Sequence, residues 1–452
     1  MILANKKIQI NSILLTNISF AFFPICMIFG NLVTNINFIL FLCFGIFHLK
    51  SKILKFKFDF LLKFIFLLFF IIFFSTSLSF VRSFYIEGHD YNDFNRLLKS
   101  ILFFRYFILL LIIYLLSEHD IINFKYFFLS ASVCASIVAI DVIFQYIFGQ
   151  NILGFKSYHH HNTSFFGDEY ISGGFIQNFS FFSILLFSYL LRNSSNYFKF
   201  IFIVATICIL SLGILLSGNR MPFILFLVGL FLIFFFNKPL RKAVIAGFLM
   251  LFIILGFIFS SDSQMKKNYM SFYYNLNHLV SSIYEKTTSE ESKIILKEQE
   301  EFLSPDPDSH GYRKIMFTAF ETWKTNKIFG SGIKSFREKC KKFLIEQKRG
   351  VCSNHPHNYY LEVLTDLGIV GIFFAVGIAL MFLVFLSKNY KFLNINKMGN
   401  LFLLAAVISL FLELFPIKSS GSIFTTNNTT YIILLSSIIL SRKKIFSGRN
   451  FG

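Results

Sequence analysis

Two histidines, His355 and His357, lie where the hydrophilic segment 261–362 gives way to an apolar run. Pro356, between them, fits the first position of a helix, because its missing N–H costs nothing there and its φ is already helical. We therefore predict that a helix begins at Pro356 and places His357 in its first turn. The free N–H groups and positive dipole of that turn would attract an anion and favour a neutral imidazole, which can act as a base. A histidine that only caps the helix is the alternative.

The same helix would present glycines on the face of the imidazole. At about 100° per residue, His357 shares one face with Leu361, Leu364, Gly368 and Gly371. Small residues let a neighbouring helix approach closely in membrane proteins. The spacing therefore predicts that Gly368 and Gly371 are structural residues that pack against another helix.

Two arginines, Arg220 and Arg313, are candidate anion-binding residues. Arg220 ends a Ser-Gly-Asn-Arg turn between two apolar runs, and the stretch from Arg313 to Arg349 contains eleven Lys and Arg residues. Arginine binds phosphate through two parallel hydrogen bonds, and a basic segment leading to His357 suits a polyphosphate or an anionic lipid. The alternatives are an arginine that anchors the chain to lipid headgroups and a basic surface that is merely solvated.

Cys340 and Cys352 lie in the same hydrophilic segment, shortly before the histidines. In an oxidising compartment we expect them to form a structural disulfide that braces this segment. The three consecutive histidines at 159–161 are interpreted as a solvated loop. Adjacent residues rarely converge on one ion, and this loop has no cysteine or second histidine pair to complete four ligands.

Composition indicates the elements that must position these residues. The chain has 452 residues, 67 of them Phe, a mean hydropathy of +0.64 and 15% charged residues, well below the ~25% usual in soluble domains. These values indicate a membrane protein. The net charge of +19 is not interpreted as nucleic-acid binding, because most Lys and Arg residues lie in short segments between apolar runs, where membrane topology explains them.

We predict an all-α polytopic membrane protein with about twelve transmembrane helices and one large periplasmic loop that contains helices. Three regions follow: spans one to nine in 1–260, the loop in 261–362, and the last three spans in 363–452. The predicted spans are 12–30, 32–48, 61–80, 100–117, 126–148, 173–191, 198–216, 221–236, 242–260, 363–387, 399–416 and 430–441.

Basic residues predict the orientation of these spans. The connections after even-numbered spans carry most of the Lys and Arg residues, as do the two ends of the chain. Cytoplasmic connections show this excess, so the pattern places 261–362 outside. Within the spans, Arg105 and Asp141 are rare ionisable residues. We expect Arg105 either to extend toward the membrane surface or to pair with Asp141, a structural role more than a functional one.

The sequence resembles the O-antigen ligase family at the histidines. His357-Asn358, nine residues, then Gly368-Ile-Val-Gly371 is similar to the family signature of His followed by Asn, Ser or Gln, nine residues and Gly-x-x-Gly. Further similarity lies in Ser-Gly-Asn-Arg220 and in the segment from Arg313 to Phe336. The resemblance covers about residues 145–385.

This resemblance implies a metal-independent, inverting glycosyltransferase of the bacterial inner membrane that needs no cofactor. Its donor would be a glycan on undecaprenyl diphosphate, and its acceptor a lipid A-core sugar hydroxyl on the periplasmic face. By residue, His357 would match the family's catalytic histidine, while Arg220 and Arg313 would match its diphosphate-binding arginines. His355, two positions earlier, leaves open which imidazole acts, and with Asn358 it is a candidate substrate contact. Alternatives are a polymerase using the same donor, a transporter of the lipid-linked glycan and a structural membrane scaffold.

Overall fold

The computed structural model describes residues 2–53, 58–87, 91–157, 161–261, 266–267, 269–270, 311–347, 351–393 and 397–447. Within these ranges the regular structure is helical and contains no β-strand, which confirms the all-α prediction. Long runs of Phe, Leu and Ile favour this outcome, because backbone polar groups in an apolar phase must be paired within their own segment. Residues 271–310 of the predicted loop 261–362 lie outside the described residues.

The helices are numbered here in chain order. They are α1 (Ile2–Ala21), α2 (Phe23–Ile28), α3 (Asn31–Leu49), α4 (Phe60–Arg82), α5 (Tyr91–Glu118), α6 (Phe124–Phe148), α7 (Ser172–Leu190), α8 (Asn196–Leu216), α9 (Arg220–Phe236), α10 (Arg241–Ser261), α11 (Gly311–Lys324), α12 (Phe336–Gln347), α13 (Tyr359–Leu393), α14 (Met398–Glu413), α15 (Thr426–Leu440) and α16 (Arg442–Ser447).

Eight helical segments in the described part of the chain are long and apolar enough to cross a membrane. They are Asn31–Leu49, Phe60–Tyr85, Asp93–Glu118, Phe124–Phe148, Ser172–Asn193, Asn196–Leu216, Lys238–Ser261 and Tyr359–Val384. Three further predicted spans fall on the shorter apolar helices Ser12–Ala21, Arg220–Phe236 and Met398–Glu413, and the last falls on α15. The protein is therefore a multi-pass membrane protein, whereas twelve crossings remain a prediction.

Close helix contacts in the bundle use small residues. Gly213 of α8 lies against Ala139 of α6, where an added Cβ would come within 2.8 Å of the Ala139 Cα. Nearby, the Ser183 hydroxyl of α7 donates to the carbonyl oxygen of Ser132 on α6 (2.8 Å). Such contacts hold membrane helices together where lipid removes most of the hydrophobic driving force. By contrast, Phe252 of α10 is 69% exposed, as expected of a side chain that faces lipid.

Contacts between helix termini define two ends of the bundle. At one end the Asn427 N–H, in the first turn of α15, donates to the Asn31 side chain at the start of α3 (3.3 Å). At the other, Lys444 of α16 pairs with Asp120, just after α5 (3.4 Å). The first is called here the histidine end, because α13 also begins there. The alternation of basic residues along the chain predicts that this end faces the periplasm.

Candidate active site

Helix α13 begins at Tyr359, so the predicted helix start at Pro356 was wrong by three residues. The N-terminal cap is Asn358, whose Oδ1 accepts hydrogen bonds from the N–H groups of Tyr360 (3.0 Å) and Leu361 (3.1 Å). An asparagine that satisfies two free N–H groups stabilises this start. His357 therefore precedes the helix instead of occupying its first turn.

The backbone at His357 is held in a left-handed conformation, with φ 57°. A non-glycine residue adopts this conformation only where its surroundings fix it. Here the Ser420 N–H donates to the His357 carbonyl oxygen (3.0 Å). The adjacent Asn358 Nδ2 donates to the carbonyl oxygens of Pro416 (2.8 Å) and Lys418 (3.3 Å). The connection between α14 and α15 thus fixes the turn that carries the imidazole.

The two imidazoles lie side by side. Their ring centroids are 4.2 Å apart, and His357 Nε2 is 3.1 Å from the Ser353 hydroxyl. Burial lowers the pKa of His357 below its usual range, and burial together with the neighbouring His357 lowers the pKa of His355 to about 4. Both rings are therefore neutral at physiological pH. We expected neutrality from the helix dipole, but its cause is burial.

Two buried polar atoms at this site, one of them in the His355 ring, make no hydrogen bond within the described residues. His355 Nε2 and Ser420 Oγ are buried without a hydrogen-bond partner among the described residues. Buried polar atoms almost always have a hydrogen-bond partner. Two such atoms without one are typical of a place where another molecule supplies the hydrogen bonds. A sugar hydroxyl, which both donates and accepts, has the required chemistry. This observation supports the expected role of His355 as a substrate contact.

Gly368 contacts a turn, and the nearest side chain to Gly371 belongs to α13 itself, which corrects the prediction that these two glycines pack against another helix. Gly368 interrupts α13 with φ 68°, and an added Cβ would lie 2.2 Å from the Ile328 carbonyl oxygen. Opposite it, a Cβ on Gly330 (φ 69°) would lie 2.4 Å from the carbonyl carbon of Asp366. A Cβ on Gly371 would meet Leu367 of the same element at 2.3 Å. Two backbones therefore cross at Gly330 and Gly368, where only glycine has both the space and the conformation.

Two buried carboxylates in α13, which the sequence analysis missed, hold loops from distant parts of the chain. Asp366 accepts hydrogen bonds from the Lys334 N–H (2.6 Å) and the Ser335 hydroxyl (2.8 Å). Glu362 accepts from the Ile423 N–H (2.7 Å) and from the Ser422 hydroxyl. A signal was available, because two acids four residues apart in an apolar run lie on one helix face and are costly in a membrane unless they have partners.

Arg96 of α5 fixes the other side of the same region. Its guanidinium pairs with Asp93 and lies 3.3 Å from a Glu338 carboxylate oxygen on α12. It also donates to the carbonyl oxygen of Ser331 (3.3 Å). This arginine therefore ties a candidate transmembrane helix to the hydrophilic segment that precedes the histidines.

Cys340 and Cys352 form the expected disulfide, with their Cα atoms 5.7 Å apart. Cys340 is buried against Ile315, Ala319 and Phe336 of α11 and α12. The bond links this small core to the segment that leads to His355. It therefore braces the histidines, as the sequence predicted.

Replacing Cys340 and Cys352 by serine should lower the free energy of unfolding by about 3 kcal/mol, since the bond closes a short loop of the unfolded chain. The thermal transition of the detergent-solubilised protein measures this effect. Cys43→Ser, at an exposed free cysteine, is the control. Equal transition temperatures for the double variant and the control would show that the disulfide does not stabilise the segment.

Arg220 is the first residue of α9, at the tight hairpin that follows α8. The hairpin packs against the loop 161–171. Asn162 Nδ2 donates to the Leu216 carbonyl oxygen (2.6 Å), and Asn219 Nδ2 donates to that of Tyr170 (2.9 Å). This arrangement places the Arg220 guanidinium at the histidine end on a rigid support. Its meeting with the imidazoles stays a prediction.

Asp141 and Gln145 hold this loop, which corrects the alternative in which Asp141 pairs with Arg105. Asp141 accepts from the Ser164 hydroxyl (2.5 Å), and Gln145 Oε1 accepts from the Ser164 N–H (2.7 Å). Arg105 instead donates to the Tyr106 hydroxyl (3.0 Å). Among the three consecutive histidines, 159 and 160 lie outside the described residues. His161 Nδ1 is 3.3 Å from the Ser217 carbonyl oxygen, so it belongs to the Arg220 hairpin.

Arg313 lies in the first turn of α11, but its side chain is outside the described part of the chain. Its proposed contact with a diphosphate therefore stays a prediction. The structure brings His355, His357 and Asn358 together with residues 416–420. Arg220 is positioned separately by α8, α9 and the loop 161–171.

The part of the chain that contains the histidines is similar to a known protein family. Residues 204–376 match the family model described as O-antigen ligase. The matched segment begins within α8, includes Arg220 and both histidines, and ends in α13 after Gly371. No curated protein matches the chain.

Proposed function

We propose that this multi-pass membrane protein is a glycosyltransferase of the bacterial inner membrane, because residues 204–376 match the O-antigen ligase family model. It moves a polysaccharide from undecaprenyl diphosphate to a lipid A-core sugar hydroxyl on the periplasmic face. The observation that carries the proposal is the neutral, half-buried His357 inside the matched segment, next to polar atoms of His355 and Ser420 that have no hydrogen-bond partner among the described residues.

His357 acts as the general base in this proposal. The acceptor hydroxyl gives its proton to the neutral imidazole as its oxygen forms a bond to the anomeric carbon of the donor sugar. The bond from that carbon to the diphosphate breaks, and the lipid diphosphate leaves with the electron pair. Attack from the face opposite the leaving group inverts the anomeric centre. General-base assistance of this kind contributes about 10²- to 10⁴-fold.

The arginines take the complementary role. Arg220 and Arg313 hold the diphosphate and offset the negative charge that grows as it leaves. Diphosphate is a good leaving group without further activation, so the mechanism calls for no metal and no covalent intermediate. Asn358 uses its amide on helix N–H groups and on the carbonyl oxygens of Pro416 and Lys418, which supports a positioning role. Its contact with substrate stays a prediction.

The pH dependence of the reaction should follow the lowered pKa of His357. A base must be deprotonated, and burial lowers this pKa from its usual value of 6.5. Activity should therefore be constant above neutral pH and fall only as the pH drops below about 6.5. Initial rates measured between pH 4.5 and about 9 with saturating donor test this expectation. An acid limb centred above pH 7 would contradict it.

The proposed reaction is tested in proteoliposomes that contain the full chain and glycan on undecaprenyl diphosphate. One set receives a lipid A-core acceptor, and the other receives a second molecule of lipid-linked glycan. Transfer to the core supports the ligase function, whereas lengthening of the lipid-linked glycan identifies a polymerase. Movement of unaltered glycan across the bilayer without a new glycosidic bond would identify a transporter and overturn the proposal.

A further inference from the structure

A second group of cations, which the proposed mechanism does not use, surrounds a pocket at the histidine end. The pocket has a volume of about 140 Å³ and is lined by Lys99 and Arg105 of α5 and by Lys334 of the turn before α12. Aromatic and aliphatic side chains, among them Leu102, Phe103 and Phe424, complete its wall. Three positive charges therefore share a small, largely apolar space.

These cations have no acid in direct contact within the described part of the chain. None of the three side chains makes an ion pair within 4 Å among the residues that the structure describes. Arg105 Nε is buried without a hydrogen-bond partner in the same part of the chain, although another nitrogen of its guanidinium donates to Tyr106. An unpaired buried guanidinium N–H is costly unless a ligand accepts from it.

The charges around Lys334 repel one another. Burial lowers the pKa of Lys334, and Lys99 and Arg337 lower it further, whereas Glu362 and Asp366 raise it. The two carboxylates are already engaged by hydrogen bonds from the 334–335 and 422–423 loops. An anion in the pocket would relieve the repulsion between Lys99 and Lys334 and accept the hydrogen bond that Arg105 Nε does not make within the described residues.

The position of the pocket indicates where such an anion comes from. The pocket wall includes Phe424 and Thr426, at the start of α15, together with Lys99 and Arg105 of α5. On the outer face of this helix, Leu98, Ile101 and Leu102 are 45%, 48% and 53% exposed. The pocket therefore borders the lipid-facing surface at the histidine end of the bundle.

We propose that Lys99, Arg105 and Lys334 bind the phosphate headgroup of a membrane lipid. The site shares no lining residue with the Arg220 hairpin, and the proposal does not depend on glycosyl transfer. Arginine supplies fixed N–H donors for phosphate oxygens, while the lysines supply point charges. The neighbouring apolar residues accommodate the first part of the lipid chains.

The test measures lipid retention by native mass spectrometry of the full chain in a non-ionic detergent. Dioleoyl phosphatidic acid, dioleoyl phosphatidylcholine and inorganic phosphate are titrated separately. The variant Lys99→Gln/Lys334→Gln is compared with Lys125→Gln/Lys324→Gln, which removes the same net charge at two exposed positions. Phosphatidic acid should bind the wild type and the control equally, and the pocket variant at least about tenfold more weakly.

Each outcome decides the proposal. Selective loss of phosphatidic acid in the pocket variant, with weak binding of inorganic phosphate, supports a site for a lipid headgroup. Equally tight binding of inorganic phosphate would show a phosphate site that needs no lipid anchor, and would overturn the lipid assignment. Equal phosphatidic acid binding by both variants would overturn the site itself. Arg105→Gln, with Arg192→Gln as its control, repeats the comparison with one charge in case the double variant does not fold.

Discussion

His357→Ala should lower the turnover number about 10²- to 10⁴-fold, because the variant loses the group that accepts the acceptor's proton. The backbone turn should remain, since the Ser420 N–H binds the His357 carbonyl oxygen and the Asn358 amide binds Pro416 and Lys418. The KM for the donor should change little. Steady-state rates in proteoliposomes, with the reconstituted protein quantified, separate the two parameters.

The matched controls replace two other histidines. His119→Ala removes an exposed imidazole at the opposite end of the bundle and should leave the rate unchanged. His355→Ala should raise the KM for the acceptor more than it lowers the turnover number, because His355 is expected to contact substrate. If His355→Ala abolished turnover while His357→Ala retained it, His355 would be the base and the assignment of His357 would be wrong.

Gly330→Ala should unfold the histidine end at a much lower temperature than the wild type. The added Cβ would lie 2.4 Å from the carbonyl carbon of Asp366, and the alanine would have to adopt the left-handed φ of 69°. Because the neighbouring atoms belong to the backbone, no side-chain rotation relieves the overlap. Overpacking and the left-handed conformation together cost about 2–5 kcal/mol. The loss of monodisperse protein after heating, followed by size-exclusion chromatography, measures the effect.

Gly174→Ala is the control for this substitution. Gly174 lies in α7, and an added Cβ there would meet no atom within 4 Å. Alanine also favours a helix over glycine by about 1 kcal/mol. The control should therefore melt at or slightly above the wild-type temperature. If Gly330→Ala melted with the wild type, the crossing of the two backbones would not be a tight contact.

The membrane helices could be predicted because their pattern is local. The predicted spans 126–148 and 198–216 correspond to Phe124–Phe148 and Asn196–Leu216, since the apolar runs and the polar residues that end them adjoin one another in sequence. The start of α13 was harder. Pro356 and Asn358 are both helix-start signals, and only the hydrogen bonds of Asn358 show which one prevails.

The local structure around the site could not be predicted from spacing, because its determinants are distant in sequence. A glycine at helical spacing is compatible with close packing and with a break, and only the contact with Ile328 shows that Gly368 is a break. The partners of Glu362 and Asp366 lie in loops on either side of α13 in sequence. The histidine pair and the disulfide could be predicted because histidine and cysteine have reactive side chains and lie close together in one hydrophilic segment.

The α14–α15 connection has a consequence for exchanging activities between related proteins. It lies outside the matched segment 204–376, yet Pro416, Ser420 and Ile423 hold Asn358, His357 and Glu362. A chimera that contains the matched segment alone would separate the imidazoles from the α14–α15 connection that fixes their position. We therefore expect an active chimera to require residues 398–447 from the same protein that supplies the histidines.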